Sequence, residues 1–449
     1  MATYTFREPS AKARTYVERD EKALSPSYTR SYGFVMAKGE GAEVWDVDGN
    51  HYLDIAAGIA VLSTGHRHPK IVEAIKNQVE KYIHIGATDF FCPEQLNLAE
   101  RLQQIIKING VEDPGDVMTY FGNSGTEAIE AALKLARYQE PKRNHIIAFY
   151  GSFHGRTMGA LSVTASKPTQ RADYSYIPGG VEHIPYPGKF ATMLEGTSAA
   201  TYDPIEYMEY FILGKKVPAD EIAAVLVEPI QGEGGYIVPR DDFFPKLRDF
   251  CDRHGILMIV DEIQSGVGRT GKWLAVEHWG VKPDIVCLAK GLGSGMPIGA
   301  IVTSRDIMGK WISGAHASTF GGNPLACAVA SATLDVIEGE GLLDHARELG
   351  NYVIERMSAF QKDHPSLRRV EGKGLMIGVE FQQPDGTEAK KFRNHVVDQA
   401  FLNGLLTLGC GASTLRIAPP LVITREQMEQ SLDILERVIA QAEEEVWEH

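Results

Sequence analysis

ILMIVDE, residues 256–262, is an apolar run of strand length that stops on two carboxylates. An unbroken series of aliphatic residues, with no polar alternation, marks a strand covered on both faces, as in a parallel sheet. The same form recurs on either side of it in the chain, where AAVLVE ends on Glu228 and DIVCLAK ends on Lys290. In an open α/β sheet, ligands sit just outside the carboxyl ends of the strands, so Glu228, Asp261, Glu262 and Lys290 are expected on one rim.

Working outward, short apolar runs alternate with helical patterns from about residue 70 to 300, the signature of βαβ units. VMTYF at 117–121 passes through a glycine-containing turn into a helix whose apolar face holds Ala128, Ala132, Leu133 and Ala136. That helix starts near Ser124, Gly125 and Thr126, where free N–H groups and the helix dipole suit a phosphate. Pro69 opens another helix with Ile71, Ile75, Val79 and Ile83 along one expected apolar stripe. Thr424 and Gln427 stand at capping-box spacing before a closing helix that carries Met428, Leu432, Leu435 and Ile439. The stretches around Pro185–Pro187 and Gly196–Pro204 lack periodicity and read as surface loops.

Lys290 lies between VCLA and the glycine-rich GLGSGMPIG, so its amine is expected at an apolar rim. Desolvation there lowers an amine pKa and makes it a nucleophile toward a carbonyl. Asp261, one strand away, reads either as a strand-end cap or as the carboxylate that keeps a pyridine nitrogen protonated, which turns the ring into an electron sink.

The chain has 449 residues, 44% of them hydrophobic, and a formal net charge of −14. That charge disfavours broad contact with nucleic acid or an anionic membrane, and points to a small-molecule partner. Cys92, Cys251, Cys287, Cys327 and Cys410 show no CxxC or Cys/His clustering, so neither a metal site nor a disulfide framework is expected. No apolar run approaches the ~18 residues of a membrane span, and the N-terminus lacks a signal-type apolar core, so a cytoplasmic location is expected.

The ordered set AAGIAVLSTGHRHP, GNSGTEA, FHGRT, EPIQGEGG, DEIQSGVGRTG, AKGLGSGMPIGA, TFGGNPLAC and LRIAPPL resembles the class III aminotransferases of the fold-type-I pyridoxal-phosphate superfamily. The likeness runs from about residue 30 to the C-terminus and points within the family to the 4-aminobutyrate aminotransferase branch. It implies an α/β fold with a large cofactor domain, residues 71–335, holding a mainly parallel sheet between helices. A smaller α+β domain would combine residues 1–70 with 336–449. The implied cofactor is pyridoxal 5'-phosphate, held by Lys290 as a Schiff base.

By the same resemblance Asp261 faces the ring nitrogen, Gln264 the ring hydroxyl, and Phe153 stacks on the ring beside His154. Glu228 belongs to the same cofactor set. Ser124, Gly125 and Thr126 form the phosphate loop, with Thr319 reaching the phosphate from a second subunit of a homodimer. Arg156 is implied to hold the distal carboxylate of an ω-amino acid, and Arg416 the α-carboxylate of glutamate or 2-oxoglutarate. Glu233 would neutralise Arg416 when no α-carboxylate is bound. Ile59 stands where ornithine-type relatives carry tyrosine, which favours a 4-aminobutyrate-like amino donor with a 2-oxo acid acceptor. Three other readings stay open: an acetylornithine- or ornithine-type aminotransferase, an amino-acid racemase of the same branch, and a non-catalytic cofactor-binding protein. LLTLGCGASTLRIAPPL also resembles archaeal-type relatives that include racemases, although these tend to have aspartate in place of Glu233.

Overall fold

The computed structural model describes residues 4–8, 10–174, 176–188 and 202–447. Its strands are β1 (Met36–Glu40), β2 (Glu43–Asp46), β3 (His51–Asp54), β4 (Val117–Gly122), β5 (His145–Phe149), β6 (Val181–Ile184), β7 (Ile222–Val227), β8 (Leu257–Asp261), β9 (Ile285–Leu288), β10 (Gly299–Ser304), β11 (Leu367–Lys373), β12 (Met376–Phe381), β13 (Leu405–Leu406), β14 (Leu408–Cys410) and β15 (Thr414–Ile417). The central sheet has seven strands in the order β4-β10-β9-β8-β7-β5-β6. Neighbours from β9 to β6 pair in parallel. β10 runs against both β4 and β9, so those two share one direction and the strands other than β10 end at a common edge.

The unbroken apolar runs become strands buried on both faces. Val225, Val227, Met258, Val260, Val286 and Leu288 join the larger core. The alternate residues Ala224, Leu226, Ile259, Ile285 and Cys287 pack into a second core with the helix Gly125–Tyr138. Full burial of one such side chain contributes roughly 1.5–3 kcal/mol, which makes the sheet the rigid base of the molecule. The helix Gly125–Tyr138 begins where expected: Ser124 caps it by accepting from the Glu127 amide, and Ala128, Ala132, Leu133 and Ala136 are all buried.

The β1-β2-β3-β13 sheet and the β11-β12-β15-β14 sheet lie outside this core strand set. β13 pairs in parallel with β3, joining Leu405 and Leu406 of the C-terminal segment to Leu53 and Asp54 of the N-terminal one. On that pairing we propose residues 1–70 and 336–449 as the smaller domain and 71–335 as the larger.

The closing helix, Arg425–Trp447, has the reciprocal cap: Gln427 N donates to Thr424 Oγ1 and Thr424 N to Gln427 Oε1. Its stripe of Met428, Leu432, Leu435 and Ile439 is fully buried. The helix Pro69–Lys81 also forms, but it buries Ile71 and Gln78 and leaves Val79 and Ile83 exposed. The helix packs against the helix Pro324–Gly339, and only the first residue of the apolar stripe, Ile71, is buried. The expected surface loop at Pro185–Pro187 is instead interior, because the Tyr186 hydroxyl donates to the carbonyls of Glu228 and Pro229 and the ring is buried. Of the other expected loop, residues 196–201 lie outside the described residues, and Tyr202 and Pro204 are buried.

The helix Leu342–Phe360 crosses the β11–β12 turn so closely that a Cβ at Gly350 would stand 2.0 Å from the Gly374 carbonyl oxygen. In an open helix, Gly→Ala gains roughly 0.5–1 kcal/mol. Gly350→Ala should therefore show the opposite sign, a loss of about 1–3 kcal/mol by overpacking. Denaturant titration measures this, and a stabilised variant would mean the helix does not sit so near the turn.

Candidate active site

The common edge of the sheet is roofed by the loop that leaves β9, passes Lys290 and returns as β10. Beneath it lies a cavity of about 450 Å³. Its walls include Ser124, Gly125 and Thr126 at the helix N-terminus, Phe153, His154 and Arg156 after β5, and Glu228 after β7. Asp261 and Gln264 follow β8, and Lys290 follows β9. Ten of the residues singled out in the sequence are thus brought to one cavity by five different strands.

The floor is a network of buried charges. Asp261 Oδ2 bonds His154 Nδ1 at 2.7 Å, and Asp261 Oδ1 accepts from the Ile263 amide at 3.0 Å. Glu228 uses both oxygens on backbone, accepting from Phe153 N at 2.9 Å and from Gly232 N at 2.8 Å. It therefore fastens the FHGRT loop to the QGEGG loop. Burial pushes the Glu228 carboxyl up, and the neighbouring charge of Asp261 adds to this while His154 opposes it. Lys290 lies deep in the cavity, and burial pushes its ammonium below the usual lysine range although Asp261 and Glu228 draw it back. Its backbone sits at φ +37°, in the left-handed region that a lysine seldom adopts and that is characteristic of strained functional positions.

A second cluster flanks the first. Arg416 on β15 is buried, and its Nη2 donates to Glu233 Oε2 at 2.9 Å and to the Gly409 carbonyl at 2.8 Å. Its Nε and Nη1 are buried without a hydrogen-bond partner among the described residues. The other Glu233 oxygen is bonded by Lys167. Burial alone would raise the Glu233 carboxyl, yet Arg416 and Lys167 hold it below the usual range. Arg156 is different: it is exposed at the cavity wall, with its guanidinium 5.9 Å from the Phe153 ring centre.

Ile59, Glu233, Thr319 and Arg416 do not line this cavity within the chain. Ile59 is 46% exposed on a turn at φ +68°, and it is Val61, two residues on, that reaches the wall. Thr319 is exposed. Asn123, Ile230, Ile263, Met296 and Ile298 also form the wall and were not foreseen. They lie inside the same motifs, but apolar and amide side chains carry no chemical signal of their own.

These parts suit one kind of ligand. An amine that can hold a carbonyl, a buried carboxylate for a ring nitrogen and a helix N-terminus for a phosphate surround a cavity of coenzyme size. Gly125 and Gly155 sit where no side chain fits, since a Cβ on either would meet Ile263 or Thr126 at 2.9 Å or less.

The family described as aminotransferase class-III matches residues 24–439. The chain is 37% identical to an alanine/serine racemase of Pyrococcus horikoshii over 443 residues, 96% of this chain and 91% of that protein. It is 40% identical to an acetylornithine aminotransferase of Methanosarcina mazei, covering 94% of this chain and 95% of the relative. Among solved structures, an ornithine aminotransferase from Toxoplasma gondii with pyridoxal phosphate partly occupying its active site superposes with a TM-score of 0.83 at 31% identity, covering 96% of this chain and 95% of that one. The chain belongs to the class III aminotransferases and is an enzyme with the fold-type-I α/β architecture. Its cofactor is pyridoxal phosphate. Where the motifs point to the 4-aminobutyrate branch, these relatives are an acetylornithine aminotransferase, an ornithine aminotransferase and a racemase. No helix among the described residues is long and apolar enough to cross a membrane.

Glu262, behind Asp261, offers a pH test of the buried floor. It accepts from Ser265 Oγ at 2.6 Å and from Val276 N at 2.8 Å, and burial pushes its carboxyl up to about 7. In the unfolded chain that group titrates near ~4.3, so the folded state binds the extra proton between these values. The stability it contributes is present below that window and is lost as pH rises through about 7. From pH 5 to pH 8, Glu262→Gln should therefore lose about 2–3 kcal/mol less stability than the parent. Chemical denaturation of the cofactor-free protein at both pH values measures it, and parallel losses would show that the carboxyl titrates normally.

Proposed function

We propose that this enzyme moves the terminal amino group of an ω-amino acid, of acetylornithine or ornithine kind, to a 2-oxo acid such as 2-oxoglutarate or pyruvate. The reading rests on one observation: Arg416 is covered by Glu233, while Arg156 stands open at the cavity wall. A donor whose carboxylate lies far from its reacting amine needs only Arg156. A 2-oxo dicarboxylate brings a carboxylate next to the reacting carbon as well, and this one displaces Glu233 from Arg416. A guanidinium fork suits both contacts, since it pairs bidentately with carboxylate. 4-Aminobutyrate falls in the same donor class, and the likeness to acetylornithine and ornithine aminotransferases favours the longer donors.

In the proposed division of work, Lys290 holds the cofactor, and Asp261, aligned by His154, keeps the ring nitrogen protonated. The backbone amides at Gly125 and Thr126 bind the phosphate, Phe153 covers the ring, and Gln264, itself bonded by the Tyr236 hydroxyl at 2.9 Å, faces the ring oxygen. Pyridoxal phosphate supplies an electron sink for the charge left when a proton departs from the substrate carbon. Lys290 would take the proton from the substrate carbon as a base and return it as an acid. We place the enzyme in the cytoplasm as a homodimer, with Thr319 contributed to the phosphate site of the other subunit.

A second reading, amino-acid racemase, draws on the likeness to the alanine/serine racemase. Such an enzyme returns the proton to the same carbon from the opposite face. A donor panel with 2-oxoglutarate separates the two: glutamate formation supports transamination, and loss of chirality in recovered alanine without glutamate would establish racemisation.

Two experiments test the assignment of parts. Borohydride reduction of the loaded enzyme should fix the cofactor on Lys290, and a peptide map with the label elsewhere would remove that residue from its role. Arg156→Ala should lower kcat/KM for N-acetylornithine, ornithine and 4-aminobutyrate by about 30- to 1,000-fold, the loss of a ~2–4 kcal/mol charged contact. 1-Phenylethylamine, which has no carboxylate, should be spared. An equal loss on every donor would make Arg156 structural.

A further inference from the structure

Glu233 stands between two cations of unlike exposure. Its Oε2 accepts from Arg416, whose side chain is 4% accessible, and its Oε1 from Lys167, whose side chain is 41% accessible. Arg416 is held in a fixed place by the Gly409 carbonyl and packs 5.9 Å from the Tyr236 ring centre. It cannot follow the glutamate outward. Lys167 is tied to Glu233 but can be hydrated. On its far side, Lys167 lines a second cavity of about 420 Å³, shared with Lys390 and Arg393. The only carboxylate lining that second cavity among the described residues is Glu388, so positive charge prevails on that side.

The formal charges set a direction. With Glu233 on both cations the trio carries one excess positive charge, and a substrate carboxylate arriving at Arg416 makes the group neutral. Without Lys167 the pair would begin neutral, and the arriving carboxylate would leave an uncompensated negative charge in a part-buried place. Such a charge is costly wherever water is scarce.

We propose that Lys167 is a positioning residue that sets substrate choice: it receives Glu233 when a substrate α-carboxylate takes Arg416, and so makes that exchange affordable in charge. The proposal rests on the reading of Arg416 as the α-carboxylate site. It predicts that Lys167 favours α-amino and 2-oxo acids over amines that lack a carboxylate. It acts on binding, so KM carries the effect and kcat does not.

The test is the amino-donor half-reaction of the cofactor-loaded enzyme, followed by stopped-flow absorbance with L-alanine and with 1-phenylethylamine. Lys167→Met should lower the ratio of kcat/KM for alanine to that for the amine about tenfold, the scale of one charge beside a part-exposed pair. The fall should lie in KM for alanine, and Lys167→Arg should restore the ratio. Lys167→Gln takes the place of the methionine variant if that chain does not load cofactor. Arg416→Gln, run beside them, separates the two ideas. If it abolishes the preference for alanine while the Lys167 variants leave the ratio unchanged, or lower both donors equally, Lys167 has no positioning role. If Arg416→Gln also leaves the ratio unchanged, Arg416 is not the α-carboxylate site and the inference falls with that reading.

Discussion

The common direction of β7, β8 and β9 is the constraint on which the site depends. Parallel pairing sets Asp261 opposite Cys287, three residues before Lys290, so a carboxylate and an amine on different strands reach the same rim by register alone. A one-residue slip would turn every buried side chain of these strands to the other face, and both faces are packed. The antiparallel strand β10 completes the arrangement. Because β10 starts at the ends of both neighbours, with Gly299 opposite Gly122 and Ala300 opposite Leu288, the loop carrying Lys290 is brought close to the start of the helix Gly125–Tyr138. The helix N-terminus and the lysine are held to one cavity by backbone pairing.

That rigidity is what allows charges to be buried there. Isolated burial of a carboxylate costs several kcal/mol, and a buried group without partners neutralises instead. Asp261 has both a histidine and a backbone amide, while Glu228 has only backbone amides and a shared field. Glu228 is driven toward its neutral form by burial, and the charge of Asp261 adds to this. The same low-dielectric surroundings lower the Lys290 ammonium, which is the direction required of an amine that must act as a base.

The strands and their terminal residues were legible because an unbroken apolar run ending in a carboxylate or amine has few other uses in a parallel sheet. The closing helix was legible for a similar reason, since its cap and stripe are local. What escaped was set by contacts distant in sequence. The four residues from Ile71 to Ile83 read as one apolar stripe, yet Ile71 is buried while Val79 and Ile83 are exposed, because helical periodicity names an apolar face without naming its partner. Tyr186 lay in an aperiodic stretch and is nonetheless buried, secured by carbonyls more than forty residues away. Lys167 gave no signal at all. A lysine in SKPTQ reads as a solvated loop residue until the fold brings Glu233, 66 positions later, against it.

Arg416 shows how a substrate preference can follow from a cost. Removing one partner of a buried ion pair leaves an uncompensated charge worth roughly 3–5 kcal/mol, so Arg416 is best kept with an anion beside it. An enzyme whose every substrate carried an α-carboxylate would find that anion in the substrate, and a covering glutamate would only compete with it. A covering glutamate is useful where the site must accept, in alternate half-reactions, one molecule that brings this carboxylate and one that does not. The bond between Glu233 and Arg416 keeps the arginine neutralised in the second case, and in the first Glu233 must leave Arg416, whose Nε and Nη1 are buried without a partner among the described residues. Under the proposed function the pair is therefore a means of admitting two substrates of unlike charge to one cavity, and this is the physical ground for preferring an ω-amino donor with a 2-oxo acid acceptor over a racemase that meets α-amino acids alone.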